Sequence, residues 1–237
     1  MRALRLGAAV AAMLLAGARV GAAQSSTGTV GGVFWPELDL YYQTSSHVRL
    51  YGLATYTFGP DPLVDNAQYG INVDYFIRHR QIFSHRPAVD ALAFDRTQPL
   101  VVRMGYRYAT DLNTPDPSIQ NRILFELTGR LNKGAFTAYD RNGFDLRWTD
   151  GVYSTRYRNR VWAEAVVTVQ KYKPVPYADA EWFYSIQNAE WTKVRYEAGV
   201  HFPVGTLFAV EPYAAWEDYW DGSPDQQGWG LNLVFSW

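Results

Sequence analysis

The sequence predicts an all-β protein whose strands close into a transmembrane, antiparallel, up-and-down β-barrel. Three observations predict this fold. Period-two alternation of apolar and polar residues recurs along residues 24–237, and helical periodicity is almost absent. Aromatic residues gather at the ends of the alternating segments, as expected for girdles at two membrane interfaces. The last segment, 229–237, alternates up to an aromatic residue, Trp237, at the C-terminus.

Residues 1–23 have the pattern of a secretory signal peptide. Arg2 and Arg5 precede an apolar stretch over 6–17, and small residues stand at the −3 and −1 positions of a cut after Ala23. The apolar stretch is shorter than the roughly 20 residues that a transmembrane helix needs. The predicted organisation is therefore a signal peptide at 1–23 and a barrel domain at 24–237.

The composition excludes several classes of protein. The chain has no cysteine, which excludes disulfides, thiolate metal sites, a cysteine nucleophile and a lipidated N-terminal cysteine. The chain's formal net charge is −1, and removal of residues 1–23 takes away three arginines and no acid, which gives −4. That balance does not favour nucleic acid as a partner.

The segment Thr192–Phe202 shows the alternation most clearly, because one face is apolar and the other bears Lys193, Arg195 and Glu197. A water-soluble barrel turns its apolar face inward, whereas an outer-membrane barrel turns that face toward lipid. Periodicity alone does not distinguish them. The aromatic segment ends and an arginine-rich, lysine-poor charged face favour the outer-membrane barrel.

In this orientation the charged face of each strand lines the lumen. Neighbouring strands then present opposite charges, and such cross-strand pairs stabilise a sheet. The predicted lumen-lining residues are Arg49, Asp74, Arg103, Arg107, Arg122, Glu126, Arg130, Arg156, Arg158, Arg160, Glu164, Asp179, Glu181, Lys193, Arg195, Glu197, Glu211 and Glu217.

Eleven alternating segments are clear in the sequence, but bacterial single-chain barrels have an even number of strands. We therefore predict twelve strands, with the weakly patterned stretch 81–95 as the twelfth. The alternative is a ten-stranded wall that leaves 33–43 outside. The dipeptide Asn142-Gly143, a strong hairpin signal, could also split the sixth segment.

The C-terminal segment resembles the signal by which assembly machinery recognises bacterial outer-membrane barrels, with Leu233, Phe235 and Trp237 as its apolar positions. Asn232 stands where the usual glycine is found.

The chain as a whole resembles an uncharacterised outer-membrane barrel family, domain of unknown function 2490. The motifs that carry the resemblance are Trp35-Pro36-Glu37-Leu38-Asp39-Leu40-Tyr41-Tyr42, Arg103-Met104-Gly105-Tyr106-Arg107-Tyr108, Arg156-Tyr157-Arg158-Asn159-Arg160, Pro176-Tyr177-Ala178-Asp179-Ala180-Glu181 and Val194-Arg195-Tyr196-Glu197-Ala198-Gly199. The resemblance implies a bacterial outer-membrane location and a barrel fold, and no chemistry.

The predicted function is a narrow, porin-like conduit for small hydrophilic solutes, with outer-membrane lipid and the assembly machinery as partners. The alternative is a structural barrel whose lumen is filled by salt bridges. A lipid-modifying enzyme is the third hypothesis, because Ser84 and His85 are adjacent; His47 and His201 fall in the inward register. We predict no enzyme, since no catalytic constellation is convincing, and we predict no cofactor or metal site. The loop 111–116 begins like a calcium loop but lacks the required glycine.

Overall fold

Eleven strands form a closed barrel in the computed structural model, which describes residues 30–59, 65–77, 99–112, 114–170, 172–205 and 207–237. Each strand pairs with the next along the chain, antiparallel, and β1 closes the wall against β11. The strands are β1 Val30–Gln43, β2 Val48–Thr57, β3 Asn66–Ile77, β4 Leu100–Asp111, β5 Ile119–Lys133, β6 Phe136–Thr149, β7 Val152–Ala165, β8 Val175–Ser185, β9 Glu190–Pro203, β10 Phe208–Tyr219 and β11 Gln226–Ser236.

The predicted all-β closed barrel is confirmed, but the wall has eleven strands rather than twelve or ten. β3 pairs directly with β4, and the stretch 81–95, considered as a twelfth strand, lies outside the described residues. β1 is part of the wall. β6 continues through Asn142 and Gly143 without a turn, because both residues pair with β5 on one side and with β7 on the other. The signal peptide predicted at 1–23 also lies outside the described residues and stays a prediction.

An odd number of antiparallel strands requires the first and last strands to run in the same direction, and β1 and β11 pair in parallel. Leu38 stands opposite Leu233 in this pairing. The backbone N–H of Gln43 donates to the carbonyl of Trp237, and the N–H of Trp237 donates to the carbonyl of Tyr41. The C-terminus is therefore part of the sheet.

The parallel pair gives the barrel two distinct rims. We call the end at which β1 begins the N-terminal rim and the end at which β11 finishes the C-terminal rim. The turns at 112–118, 150–151, 186–189 and 220–225 lie at the N-terminal rim. The turns at 44–47, 134–135, 166–174 and 204–207 lie at the C-terminal rim.

The charged faces of the strands point inward and the apolar faces outward. Arg158 is 8% exposed, whereas Val161, three residues later on the same strand, is 45% exposed. Large apolar side chains such as Ile71, Met104 and Leu127 are exposed on the outer wall. No helix in the described ranges has the length and apolar character needed to cross a membrane.

A polar cluster interrupts the apolar outer wall on β6 and β7. The amide of Asn159 donates to Asp140 Oδ1 at 2.7 Å, and the hydroxyl of Tyr157 donates to Asn142 Oδ1. Asp140 is exposed and stands opposite Val161. These groups satisfy one another locally, which lowers the cost of placing them on an apolar face.

Candidate functional site: the barrel interior

The barrel interior holds the charged residues that the alternation predicted there. Asp74, Glu126 and Asp179 lie deepest against the wall, and each forms an ion pair with an arginine that faces the cavity. The other predicted residues line the main cavity directly: Arg49, Arg103, Arg107, Arg122, Arg130, Arg156, Arg158, Arg160, Glu164, Glu181, Lys193, Arg195, Glu197, Glu211 and Glu217.

Asp74 on β3 is held between two arginines from its neighbouring strands. Arg49 Nη2 is 2.7 Å from Asp74 Oδ2, and Arg103 Nε is 2.6 Å from Asp74 Oδ1. The registers place Arg49 and Arg103 directly opposite Asp74. The guanidinium of Arg103 also lies over the ring of Tyr51, 4.5 Å from its centroid. This packing fixes both arginines against the wall.

Arg158 on β7 joins carboxylates from three strands. It pairs with Glu126 on β5, with Asp145 on β6 at 3.2 Å and with Glu181 on β8 at 2.9 Å. Asp145 receives a second arginine, Arg156, at 2.7 Å. Buried charges are tolerated when paired in this way, and the network ties strands together that are not adjacent.

The strands that follow are joined by further ion pairs. Arg160 lies 2.7 Å from Asp179, and Lys193 lies 2.8 Å from Glu217. The hydroxyl of Tyr177 lies 2.8 Å from Glu197 Oε1 and 3.0 Å from Glu211 Oε1, so it bridges two carboxyl groups. Ordered polar side chains thus cross from β7 to β10.

The histidines take different positions. His201 is buried, and its Nδ1 lies 3.0 Å from Glu211 Oε2. His47, which we predicted in the inward register, is instead exposed in the β1–β2 turn, where its Nδ1 lies 3.0 Å from Ser46 Oγ. His47 precedes Val48, the first residue of β2, so the alternation along that strand does not determine where the His47 side chain points. Ser84 and His85 lie outside the described residues.

β6 and β1 also carry interior charges, which the alternation of the sequence did not predict. Asp145 is fully buried, and Arg141 and Arg147 flank it on the same face of β6. On β1, Glu37 and Asp39 line the cavity. Alternation along an unbroken β6 places Arg141, Asp145 and Arg147 on one face. The hairpin expected at Asn142-Gly143 would have interrupted that alternation.

Positive and negative charges occupy different halves of the interior. From β8 through β11 to β1 the cavity is edged by acids, namely Asp179, Glu181, Glu197, Glu211, Glu217, Glu37 and Asp39, with Lys193 and Arg195 as the cations. From β4 to β7 nine arginines face inward, beside Glu126, Asp145 and Glu164: Arg103, Arg107, Arg122, Arg130, Arg141, Arg147, Arg156, Arg158 and Arg160. The interior therefore carries an electric field across its axis.

Two polar cavities follow one another along the interior. The main cavity, of about 490 Å³, reaches from Ser236 and His201 near the C-terminal rim to Arg122 near the other rim. The second, of about 340 Å³, is lined by residues of the N-terminal rim, including Ser185. Arg156 and Lys193 line both cavities, so the two cavities adjoin at these side chains.

Comparison with solved structures shows a similarity to an autotransporter β-domain. The β-domain of the Bordetella autotransporter BrkA superposes with a TM-score of 0.46 at 14% sequence identity, covering 84% of this chain and 87% of that domain. No family model and no curated protein matches the chain. The resemblance to domain of unknown function 2490 stays a prediction.

Proposed function

We propose that the protein is a bacterial outer-membrane barrel that provides a narrow conduit for small hydrophilic solutes. The outer wall supports the membrane location. It exposes large apolar side chains on nine of the eleven strands, whereas soluble monomers rarely expose apolar patches larger than a few hundred Å². The strands are 10 to 15 residues long, and about 9 to 11 residues suffice to cross a bilayer.

Aromatic side chains at both rims support the same location. Trp191, Trp220 and Trp229 are exposed near the N-terminal rim, and Tyr42 and Trp237 are exposed near the C-terminal rim. Aromatic girdles of this kind mark the two interfaces of outer-membrane barrels. The apolar band between the girdles would face lipid. In this arrangement the C-terminal strand, with Leu233 and Phe235 on its outer face, would present the signal to the assembly machinery.

The observation that carries the conduit is that two polar cavities follow one another along the interior and share Arg156 and Lys193 in their walls. Together they extend through most of the barrel length and have charged walls. A solute crossing them meets arginines on one side and carboxylates on the other. This field would orient dipolar solutes and favour hydrophilic ones.

The salt-bridge network favours the second candidate, a structural barrel without transport. Arg158 reaches past β6 to Glu126, and Arg160 reaches past β8 to Glu197 at 3.5 Å. Such contacts brace the wall and occupy space in the lumen. The two candidates differ in one measurable property, which is ion conductance.

Planar-bilayer recording of the purified full chain tests the conduit. We expect small, uniform conductance steps. Because the chain lacks cysteine, Thr55→Cys, which lies on the cavity wall, can be modified by a charged methanethiosulfonate reagent. Modification should reduce the step size. The matched control is Ala54→Cys, one residue away and outside the lining of the cavity.

The absence of steps from a correctly folded barrel would contradict the conduit and leave the structural barrel. Equal effects of modification at positions 54 and 55 would also contradict a path through the lumen. A heat-dependent shift in gel mobility of the membrane fraction provides the check that the barrel has folded.

A further inference from the structure

Three arginines form one row across three adjacent strands near the N-terminal rim. Arg107 on β4 stands opposite Arg122 on β5, and Arg122 stands opposite Arg147 on β6. Arg107 and Arg122 line the main cavity, and Arg147 lines the second. Neighbouring strands lie about 4.8 Å apart, so the three side chains start within about 10 Å of one another.

These arginines have few partners compared with the others in the barrel. Within the described ranges, Arg107 and Arg147 have no carboxylate within salt-bridge distance, and the carboxylate nearest to Arg122 is Asp145 at 3.9 Å. Arg122 Nη2 donates to Gln120 Oε1 at 2.7 Å. The Nε atoms of Arg107, Arg122 and Arg147 are buried without a hydrogen-bond partner, as is that of Arg160, but Arg160 also forms ion pairs with Asp179 and Glu197.

Asp145 does not balance this row. It already receives Arg156 at 2.7 Å and Arg158 at 3.2 Å, so its charge is shared by closer arginines. Directly opposed like charges destabilise a sheet, and buried charges are normally paired. The row is therefore a local excess of positive charge that the protein does not neutralise.

We infer that this row is a binding site for a phosphate-type oxyanion. A guanidinium group is planar and donates two parallel hydrogen bonds to an oxyanion, and several of them match a multivalent anion better than a monovalent one. The row lies inside the barrel, so its ligand is a soluble anion and not the headgroup of a surrounding lipid. All three arginines are within four residues of the strand ends at the N-terminal rim, so the anion enters from there.

The site deepens the proposed conduit by naming a solute class, but anion binding does not require conduction. A multivalent anion in the row would offset the mutual repulsion of the three guanidinium groups. Binding therefore raises the free energy of unfolding by RT ln(1 + [L]/Kd), where [L] is the concentration of free anion.

Thermal unfolding of the purified full chain in detergent tests the site, with inorganic phosphate and pyrophosphate as probes. Chloride at matched ionic strength controls for general screening. We expect the melting temperature to rise with the logarithm of phosphate concentration above Kd, and pyrophosphate to give the same rise at lower concentrations. Equal effects of chloride and phosphate would overturn the site.

Arg122→Gln removes the centre of the row. We expect it to weaken the apparent phosphate affinity at least ten-fold while the melting temperature without phosphate stays the same or rises, because a repulsive charge is lost. The matched control is Arg130→Gln, which removes an interior arginine near the C-terminal rim and should leave the affinity within a factor of two.

Equal loss of affinity in the two variants would overturn the site, as would a large drop in the phosphate-free melting temperature of Arg122→Gln. Arg147→Gln provides a second variant of the row, with the same expectation. Phosphate-dependent stabilisation without any conductance would refute the conduit and keep the anion site. Conductance without phosphate-dependent stabilisation would refute the anion site and keep the conduit.

Discussion

Arg158 on β7 and Glu126 on β5 form a buried ion pair, although β6 lies between their strands in the wall. Arg158 also contacts Asp145 on the intervening strand and Glu181 on the far side. One guanidinium group thus holds four consecutive strands together from the inside. The interior charges consequently support the wall as well as lining the cavity.

Replacement of Arg158 by methionine should destabilise the barrel strongly, because it leaves the buried carboxylates of Glu126, Asp145 and Glu181 without this cation. Loss of one partner from a buried pair typically costs about 3 to 5 kcal/mol. Urea unfolding in lipid vesicles, followed by tryptophan fluorescence, measures the change. Arg156→Met is the control, since Asp145 is the one carboxylate that Arg156 pairs with among the described residues, and Arg156 is more exposed than Arg158. If Arg156→Met lowers the free energy of unfolding as much as Arg158→Met does, the bridging role of Arg158 is contradicted.

The parallel pairing of β1 with β11 predicts a specific cross-link. Leu38→Cys combined with Leu233→Cys places two thiols directly opposite each other in the register. We expect a disulfide to form under mild oxidation, because the two Cα atoms of a neighbouring pair lie within the roughly 7 Å limit. Gel mobility before and after reduction reports it. Leu38→Cys with Leu231→Cys, two residues out of register, should remain mostly reduced, and preferential cross-linking of this second pair would refute the register.

The proposed contact of the outer wall with lipid predicts that a charge near the middle of the wall is costly. Met104 is 54% exposed on the outer face of β4, and Met104→Arg should lower stability in vesicles by about 2 to 4 kcal/mol. Val152→Arg, at the start of β7 on the N-terminal rim, should cost at most about 1 kcal/mol. Equilibrium unfolding of both variants gives the comparison. Similar small effects at both positions would mean that water, not lipid, surrounds the wall.

Asp150, in the β6–β7 turn, connects two turns of the N-terminal rim. The hydroxyl of Ser118 donates to Asp150 Oδ2 at 2.7 Å, and the N–H of Ile119 donates to Asp150 Oδ1 at 2.8 Å. These hydrogen bonds lower the pKa of Asp150, the one from Ile119 contributing most. The resulting stabilisation is present above the pKa of the unfolded chain and is lost as pH falls through the lower, folded pKa.

Ser118→Ala should therefore raise the pKa of Asp150 toward its ordinary value, because one donor to the carboxylate is lost. An NMR titration of the Asp150 carboxyl carbon measures the change. Ser118→Thr keeps the hydroxyl and should keep the lowered pKa. An unchanged titration in Ser118→Ala would show that the side-chain hydrogen bond is not made in solution.

Much of this architecture could be predicted from alternation alone. The eleven alternating segments of the sequence correspond to the eleven strands. Successive side chains of a strand point to opposite faces, so a wall with one apolar and one polar face requires period-two alternation. Alternation was also enough to divide side chains such as Arg195 and Tyr196 between the interior and the exterior. The prediction of twelve strands differs from the observed eleven only because it assumes an even number of strands.

The sequence does not predict how the first and last strands pair, or which side chains form ion pairs between non-adjacent strands. Nothing local in the sequence shows that Leu38 lies beside Leu233 in a parallel ladder, or that Arg158 reaches Glu126. These contacts depend on the curvature of the closed wall. The row of Arg107, Arg122 and Arg147 is likewise not predicted, since the alternation of the sequence does not place Arg147 on the inner face.

The closure of β1 against β11 also has a consequence for how the barrel forms. Every other ladder can form as a local hairpin or across a single loop, but the amide of Asn232 donates to Asp39 at 3.0 Å across 193 positions of the chain. A contact between such distant segments bears the largest loop-closure entropy and repays it only once the intervening wall is in place. The junction of the first and last strands should therefore be completed last during folding, and a slow kinetic phase should report it.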